Sequence, residues 1–262
     1  PILWTKLPGS KSAGRVQSVA LKLITEREHS IESFNPDEFW TLSVKFTDKN
    51  KQDITASISQ LDGKKIEKFS FKNKEDIDKA ILNIKNKQFS ITDISSKVIG
   101  RNPSGPFTTS TLQQTASSRL GFGASRTMQI AQKLYQGIDI EGETIGLITY
   151  MRTDGTNLSK DAVDTFRSYI EKDLGKEYLP DEALNYSGKK AKNAQEAHEA
   201  IRPTDIIRTP QSIKKYLSPD QNKMYDLIWS RALSSQMASA KFDRNTITIT
   251  SDDNETICKT SG

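Results

Sequence analysis

The spacing of apolar residues changes period along this chain, and that change constrains its fold more than any other feature of the sequence. Residues 10–33 repeat apolar side chains every 3.6 residues or so, which predicts a helix that ends before Pro36. Residues 39–46 and 53–59 instead alternate apolar and polar side chains, which predicts half-buried strands. A helix and then a strand are predicted next, at 74–87 and 89–100.

The period becomes helical again beyond a proline- and glycine-rich cluster at 101–106, which predicts a domain boundary there. Residues 109–120 and 126–136, the second capped by Ser125, form two predicted helices around a short glycine turn, the shape of a helix-turn-helix. Two further helices are predicted from their capping residues: Ser159, and Ser218 with Pro219. Residues 176–195 are interpreted as an exposed loop.

A last strand is predicted at 245–250, so strands flank a helical middle. The fold class indicated is multidomain α+β, with a helical, helix-turn-helix-containing domain inserted in a strand-rich domain. Three groups of apolar side chains follow the helical spacing: Val16, Val19, Ala20, Leu23, Ile24 and Ile31 in the first helix, Ile77, Ala80, Ile81 and Ile84 on one face of the second, and Met128, Ala131, Leu134 and Tyr135 on the predicted buried side of residues 126–136.

Composition excludes several classes of protein. The single cysteine, Cys258, rules out an internal disulfide framework, and with His29 and His198 far apart it leaves no zinc spacing. No apolar run approaches the roughly 20 residues of a membrane span, and no Walker A sequence is present. The net charge of +5 is weak support for an anionic partner. Because the chain does not start with methionine and stops abruptly at Gly262, we expect a piece of a longer protein.

Tyr150 is the strongest candidate for chemistry. A tyrosine hydroxyl has a pKa near 10, so a nucleophilic tyrosine needs a cation or a proton acceptor beside it. In an extended segment Arg152 and Asp154 share its face, and an arginine grips phosphate bidentately. The three residues therefore suit phosphoryl transfer on a phosphodiester. The alternative is a packed core tyrosine with a surface salt bridge.

Two other stretches are suited to phosphate binding. If residues 195–204 are helical, His198 and Arg202 lie four apart on one face, Glu199 points elsewhere, and an anion fits between the two. Residues 12–18 place polar side chains near a helix start, where backbone N–H groups favour phosphate. A satisfied surface histidine remains the alternative for the first stretch.

Together these stretches resemble the type IA DNA topoisomerases, most closely the bacterial topoisomerase I branch of that family. The matching motifs are SAGRVQSVA, PFTTSTLQQTASSRLGFGASRTMQIAQKLY, ITYMRTDGTNLS and AHEAIRPT, in the family's order. The resemblance runs over essentially the whole chain, and motifs of this length are specific. Gly155 departs from the family's usual serine, and we interpret it as a tolerated variant because the mechanism does not need that hydroxyl.

The resemblance implies an ATP-independent enzyme that relaxes negatively supercoiled DNA by transient cleavage of one strand. Tyr150 would attack single-stranded DNA and become joined to the 5′ phosphate, Arg152 would hold the phosphate, and His198 would lie near it. The DNA-binding residues implied are Ser12, Ala13, Gly14, Arg15, Val16, Gln17, Thr153, Asp154 and Arg202. A monomer located in the cytoplasm with the nucleoid is expected.

The resemblance also implies a domain plan and a missing part. Residues 1–35 would belong to the single-strand-binding helical domain, 36–102 and 232–262 to a strand-rich arch, and 103–231 to the helical domain with the tyrosine. The family's magnesium-binding Toprim domain has no counterpart in this sequence, so Mg²⁺ is expected in the full-length enzyme and no metal site here. We therefore expect the isolated chain to be unable to relax DNA completely.

Two other functions stay open. A non-enzymatic DNA-binding module would use the two-helix element on duplex DNA and leave Tyr150 structural. A tyrosine recombinase also uses tyrosine and arginine on DNA, but it forms the opposite, 3′ linkage and needs several arginines around the phosphate.

Overall fold

The structure, a computed structural model, describes residues 6, 14–186 and 198–262. The chain divides into two compact units, one formed by 1–96 with 245–262 and the other by 97–244. Both helices and strands are present in the proportions of a mixed α and β protein. The three-domain boundaries implied by the resemblance stay a prediction.

The first unit is built around a six-stranded sheet whose first strands pair antiparallel. Its strands are ordered β1-β2-β8-β7-β4, with the short β3 paired to β2. They span Ser43–Thr47 (β1), Asp53–Leu61 (β2), Lys64–Lys65 (β3), Phe89–Arg101 (β4), Ala240–Ser251 (β7) and Ile257–Ser261 (β8). Residues 97–101 of β4 and 240–244 of β7 are counted with the second unit. The closing strand β8 was not predicted. It lies between β2 and β7 and is antiparallel to both, so the end of the chain completes the sheet.

Helix α2, Lys74–Lys85, covers one face of this sheet. The side chain of Asn73 caps it by accepting a hydrogen bond from the backbone N–H of Asp76. Its buried residues are Ile77, Ala80 and Ile84, as the 3.6-residue spacing predicted. Ile84 packs with sheet residues that include Ala56 and Cys258, so the helix and sheet share one core.

Helix α1, Arg15–Glu32, has the predicted span as far as the described residues show, but its apolar residues are exposed. Val16 is 82% exposed, and Val19, Leu23, Ile24 and Ile31 are exposed as well. The helix that the spacing predicts is therefore present, and its apolar stripe is exposed. Spacing identifies an apolar stripe but does not supply the surface against which the stripe packs.

Besides short π- and 3₁₀-helices (Ile170–Leu174, Lys176–Tyr178 and Lys214–Tyr216), the described part of the second unit holds four α-helices. They are α3 (Thr109–Leu120), α4 (Ala124–Gln136), α5 (Lys160–Tyr169) and α6 (Pro219–Ser234). Gly121 ends α3 in the left-handed region at φ +68°, which permits the tight turn into α4. The cap of α4 is Gly123, not Ser125, because the helix starts two residues earlier than predicted. Ser159 and Ser218 cap α5 and α6 as predicted.

The core of the second unit lies between α3, α4, α6 and the segment that follows α4. It contains fully buried Phe107, Leu112, Leu134, Leu147 and Met151, among others. Between α4 and this segment lies an unpredicted hairpin, β5 (Ile138–Ile140) with β6 (Glu143–Ile145). No helix in the described parts of the chain is long and apolar enough to cross a membrane.

Candidate functional site

The segment that carries Tyr150 is fixed by backbone hydrogen bonds on both sides. Leu147 N–H donates to the carbonyl of Leu134 at the end of α4 (2.8 Å), and Thr149 N–H donates to the carbonyl of Arg202 (2.9 Å). Thr204 N–H returns a bond to the Leu147 carbonyl (3.0 Å). The backbone leading to Tyr150 is therefore held between α4 and residues 202–204.

Burial alternates along the same segment. Met151 and Thr153 are buried, whereas Tyr150, Arg152 and Asp154 are exposed. This is the shared exposed face that the sequence predicted. With 38% of Tyr150 exposed, the alternative of a packed core tyrosine does not describe this site. Its predicted salt bridge is also missing, since Arg152 has no ion pair with any carboxylate of the described residues.

The ring of Tyr150 lies between two other rings. Its centroid is 5.7 Å from that of His198 and 5.4 Å from that of Tyr135, each at an interplanar angle of 65°. The structure thus brings together Tyr150 and His198, which are 48 positions apart and were linked only by the resemblance. Edge-to-face contacts of this kind restrict the orientation of the tyrosine ring.

Tyr135 was not recognised as a site residue. Its helical position predicted a buried side chain, but it is 40% exposed and lies against Tyr150. The contact forms because the backbone returns close to the end of α4 after the β5–β6 hairpin. A Cβ on Gly146 would lie 2.7 Å from the Tyr135 carbonyl oxygen, so only glycine permits this approach. No local pattern could have indicated it.

His198 and Arg202 are not on one face of a helix, so that prediction is wrong. Residues 198–204 are extended: Ile201 pairs with Phe107 and Pro203 pairs with Ile148. Pairing with these two segments replaces helical bonding, and Pro203 could not have continued a helix. His198 is exposed next to Tyr150, and Arg202 is directed elsewhere.

The carboxylate of Glu199 joins this extended segment to Ser159 and to Arg202, and we call this arrangement the Glu199 clip. The expectation that Glu199 points away from His198 and Arg202 did not include these contacts. One carboxylate oxygen accepts the backbone N–H of Ser159, and the other pairs with the Arg202 guanidinium at 2.7 Å. Arg202 also donates to the Pro203 carbonyl, and only 15% of its side chain is exposed. In this geometry Arg202 positions the segment that carries His198. Its predicted contact with DNA stays a prediction.

The pKa of Glu199 gives a test of this clip. Burial raises the pKa, but the hydrogen bonds from Ser159 and Arg202 outweigh it, so the pKa of Glu199 is lowered. Because the pKa is lower in the folded state, ionised Glu199 stabilises the fold at any pH above its unfolded-state pKa. This contribution is lost as the pH falls through the folded-state pKa. We expect the amide signals of Ser159 and Arg202 to move at a pH below the ordinary glutamate pKa of about 4.3.

The matched control for this titration is Glu199→Gln, which keeps the shape and removes the charge. In that variant the two amide signals should not follow the same transition. An unchanged transition in the variant would assign it to another carboxylate.

Thr153 joins three parts of the site. Its hydroxyl donates to the His198 carbonyl (3.2 Å) and accepts from Gly155 N–H (3.0 Å), and its backbone N–H donates to Thr109 Oγ1 (2.8 Å). Because these bonds use its polar atoms, the structure places Thr153 beneath the exposed face. Its predicted contact with DNA stays a prediction, as does that of exposed Asp154.

The packing around Gly155 requires a glycine, so the interpretation of this position as a tolerated variant is too weak. A Cβ at this position would overlap the carbonyl oxygen of His198 and come within 3.2 Å of Thr153 Oγ1. The missing side chain, and not a missing hydroxyl, is therefore what matters here. The segment that carries His198 packs directly on the backbone of Gly155.

We expect Gly155→Ser to displace His198 from Tyr150 and to cost about 1–3 kcal/mol of unfolding free energy, as overpacking does. The histidine ring signals in an NMR spectrum report the displacement, since His29 is the only other histidine. Gly100→Ser is the control, because a Cβ there meets nothing within 4 Å. An unmoved His198 signal in Gly155→Ser would contradict this packing.

Residues 12–17 are only partly described. Ser12 and Ala13 lie outside the described residues, and so does the side chain of Arg15. Gly14 N–H donates to the side-chain oxygen of Gln17 (2.9 Å) just before α1, and Val16 is exposed. This segment belongs to the first unit, whereas Tyr150 belongs to the second, and its predicted role in DNA binding stays a prediction.

A groove of about 770 Å³ opens beside Arg152. One face of α4 forms its wall with side chains that provide amide groups and a positive charge: Gln129, Gln132, Lys133 and Gln136. Arg126 also lines the groove but is paired with Asp220 at 2.5 Å. The groove provides phosphate-binding cations and hydrogen-bonding amides next to the tyrosine segment.

The described residues do not provide a metal centre. Nowhere in residues 14–186 and 198–262 do three His, Cys, Asp or Glu side chains come together as metal ligands.

Comparison with known proteins identifies the relatives of this chain. The family model described as DNA topoisomerase matches residues 1–262. The chain is 49% identical over 262 residues to DNA topoisomerase 1 of Rickettsia felis, which covers all of this chain and 34% of that protein. It is 46% identical over 253 residues to DNA topoisomerase 1 of Haemophilus influenzae, covering 97% of this chain and 28% of the other.

The fold has a solved relative. Full-length topoisomerase I from Thermotoga maritima matches with a TM-score of 0.76 and 36% identity, covering all of this chain and 40% of that one. The predicted mixed helix and sheet fold is thereby confirmed, while the inserted-domain arrangement stays a prediction. The chain spans about a third of the length of the curated relatives it matches.

Proposed function

Because the chain belongs to the DNA topoisomerase family whose model matches all 262 residues, we propose that it carries the nucleophile of an ATP-independent type IA topoisomerase. The observation that supports this most directly is the exposed Tyr150 next to His198, on a segment that also presents Arg152. The proposed substrates are single-stranded and negatively supercoiled DNA, the proposed state is a monomer, and the proposed location is the cytoplasm with the nucleoid.

In the proposed reaction the Tyr150 hydroxyl oxygen attacks a backbone phosphorus. A new P–O bond forms to tyrosine as the bond to the 3′ oxygen breaks, leaving a 5′-phosphotyrosyl end and a 3′ hydroxyl. The tyrosine gives up its proton and the leaving oxygen gains one. After strand passage the 3′ hydroxyl attacks the phosphotyrosine and reverses the step, so no ATP is consumed.

Arg152 and His198 have complementary roles in this proposal. Arg152 faces solvent at the groove, where its guanidinium binds the phosphate bidentately and stabilises charge in the transition state. His198 lies at the edge of the tyrosine ring and contributes a second phosphate contact. Magnesium is proposed for the longer protein only, and complete relaxation of supercoiled DNA by this chain alone is not expected.

The test is a covalent-adduct assay with the chain and a single-stranded oligonucleotide labelled at one end. After denaturation we expect a protein–DNA adduct that retains a 3′-end label, because tyrosine joins the 5′ phosphate of the downstream fragment. An adduct that retains a 5′-end label would indicate the opposite linkage of a tyrosine recombinase. Binding without any adduct would favour the DNA-binding module.

A further inference from the structure

A second cationic pocket lies in the 97–244 unit, and none of Tyr150, Arg152 and His198 lines it. Its volume is about 310 Å³, and its walls come from α3, α6 and the segment before α3. The lining consists of two arginines, three serines and a leucine: Arg119, Arg231, Ser104, Ser230, Ser234 and Leu227.

The two arginines of this pocket lack a counter-ion. Neither Arg119 nor Arg231 forms an ion pair with a carboxylate in the described ranges. The nearest acid on α6, Asp226, accepts a hydrogen bond from Ser230 Oγ at 3.4 Å and pairs with neither arginine. Two like charges without a neutralising acid attract an anion.

Arg231 is also fixed in place. Its guanidinium carbon lies 4.6 Å from the centroid of the Phe107 ring, which is fully buried. Such stacking holds the plane of the guanidinium while its edge stays available for hydrogen bonds. Burial and then the charge of Arg119 lower the pKa of Arg231, so a bound anion would relieve a cost already present in the fold.

We propose that the pocket between Arg119 and Arg231 binds a phosphate group of a nucleic-acid backbone, at a contact separate from the groove beside Arg152. The ligand class follows from the two arginines of the lining, since a planar guanidinium matches two phosphate oxygens. That the phosphate belongs to a nucleic acid follows from the proposed function, on which this inference rests. The pocket is also open, because Arg119 is exposed.

The test compares two double variants of the 262-residue chain, each of which removes two positive charges. Arg119→Gln with Arg231→Gln alters the pocket. Lys172→Gln with Lys223→Gln is the control, since both lysines are exposed and outside the pocket. The affinity for a single-stranded oligonucleotide is measured by fluorescence anisotropy at several salt concentrations.

We expect the pocket variant to reduce the slope of log affinity against log salt by about 0.7, the contribution of one phosphate on a single strand. The control should change the slope by less than half of that. Equal changes in the two variants, or none in the pocket variant, would overturn the proposal. Arg231→Lys, which keeps the charge, and the unfolding midpoint of each variant separate lost binding from lost folding.

A second arm separates the two sources of phosphate. In NMR spectra we expect the oligonucleotide to shift the side-chain signals of Arg119 and Arg231 at concentrations at least about 100-fold below those needed with inorganic phosphate. Equal potency would assign the pocket to a free anion and overturn the nucleic-acid source. The adduct assay is independent of the salt measurement. If the pocket variant forms the adduct and its slope of log affinity against log salt is unchanged, this inference alone is contradicted. If the slope changes but no adduct forms, only the proposed nucleophile is contradicted.

Discussion

Tyr150→Phe is expected to remove the covalent DNA adduct below detection and to leave oligonucleotide affinity within about twofold. The substitution deletes only the hydroxyl, and the ring contacts to Tyr135 and His198 remain available. Because the hydroxyl oxygen is the proposed attacking atom, no other atom of the residue can replace it. The measurement is the adduct assay together with a binding titration on the same preparations.

The matched control is Tyr178→Phe, another exposed tyrosine of the same unit that lies outside the site. It should leave adduct formation unchanged. An adduct that persists in Tyr150→Phe would move the nucleophile to another residue and contradict the proposed mechanism. Loss of binding in Tyr150→Phe would instead point to a structural role for the hydroxyl.

Phe107→Ala is expected to destabilise the second unit by about 3–5 kcal/mol, the usual cost of deleting a buried aromatic side chain. Phe107 has no exposed surface, its carbonyl accepts the N–H of Ile201 at 2.8 Å, and its ring lies beneath Arg231. The variant therefore leaves a cavity where the core, the segment of His198 and the second cationic pocket meet.

Urea unfolding followed by the fluorescence of Trp229 measures this loss, in a background with Trp4→Phe and Trp40→Phe so that the second unit is observed alone. Phe242→Ala is the control, because half of that side chain is exposed. It should change stability by no more than about 0.5 kcal/mol. A similar loss in both variants would contradict the central place of Phe107 in the core.

Local signals made the helices predictable. Ser159 and Ser218 accept backbone N–H bonds in the first turns of their helices, so the capping residues in the sequence mark the true starts. The β5–β6 hairpin was missed although a signal was present, since Glu141 and Gly142 form a turn with positive φ between short alternating segments. The unpredicted contacts of Tyr135 have no such local signal.

The part of the site that depends on the alternation of side chains along an extended segment was predictable from the sequence. Alternation along 150–154 identified the exposed tyrosine, arginine and aspartate correctly. The conformation around His198 was not predictable from spacing, because Glu199, Ile201 and Pro203 take their partners from three distant segments. The steric overlap of a Cβ at Gly155 could not be predicted from the sequence either, because it depends on the position of the His198 backbone.

The hydrogen bond between Leu147 N–H and the Leu134 carbonyl closes a loop of the chain at its base. The β5–β6 hairpin lies within this loop, between Tyr135 and Gly146, which belong to the site's own packing. The hydrogen bond at the base of the loop sets the register of the tyrosine segment, so residues added at the turn of Glu141 and Gly142 do not shift that register. Each doubling of such a loop costs only about 0.6 kcal/mol of closure entropy. The hairpin is therefore where this part of the chain can gain or lose residues during evolution, or accept an inserted reporter peptide, at the least cost to the site.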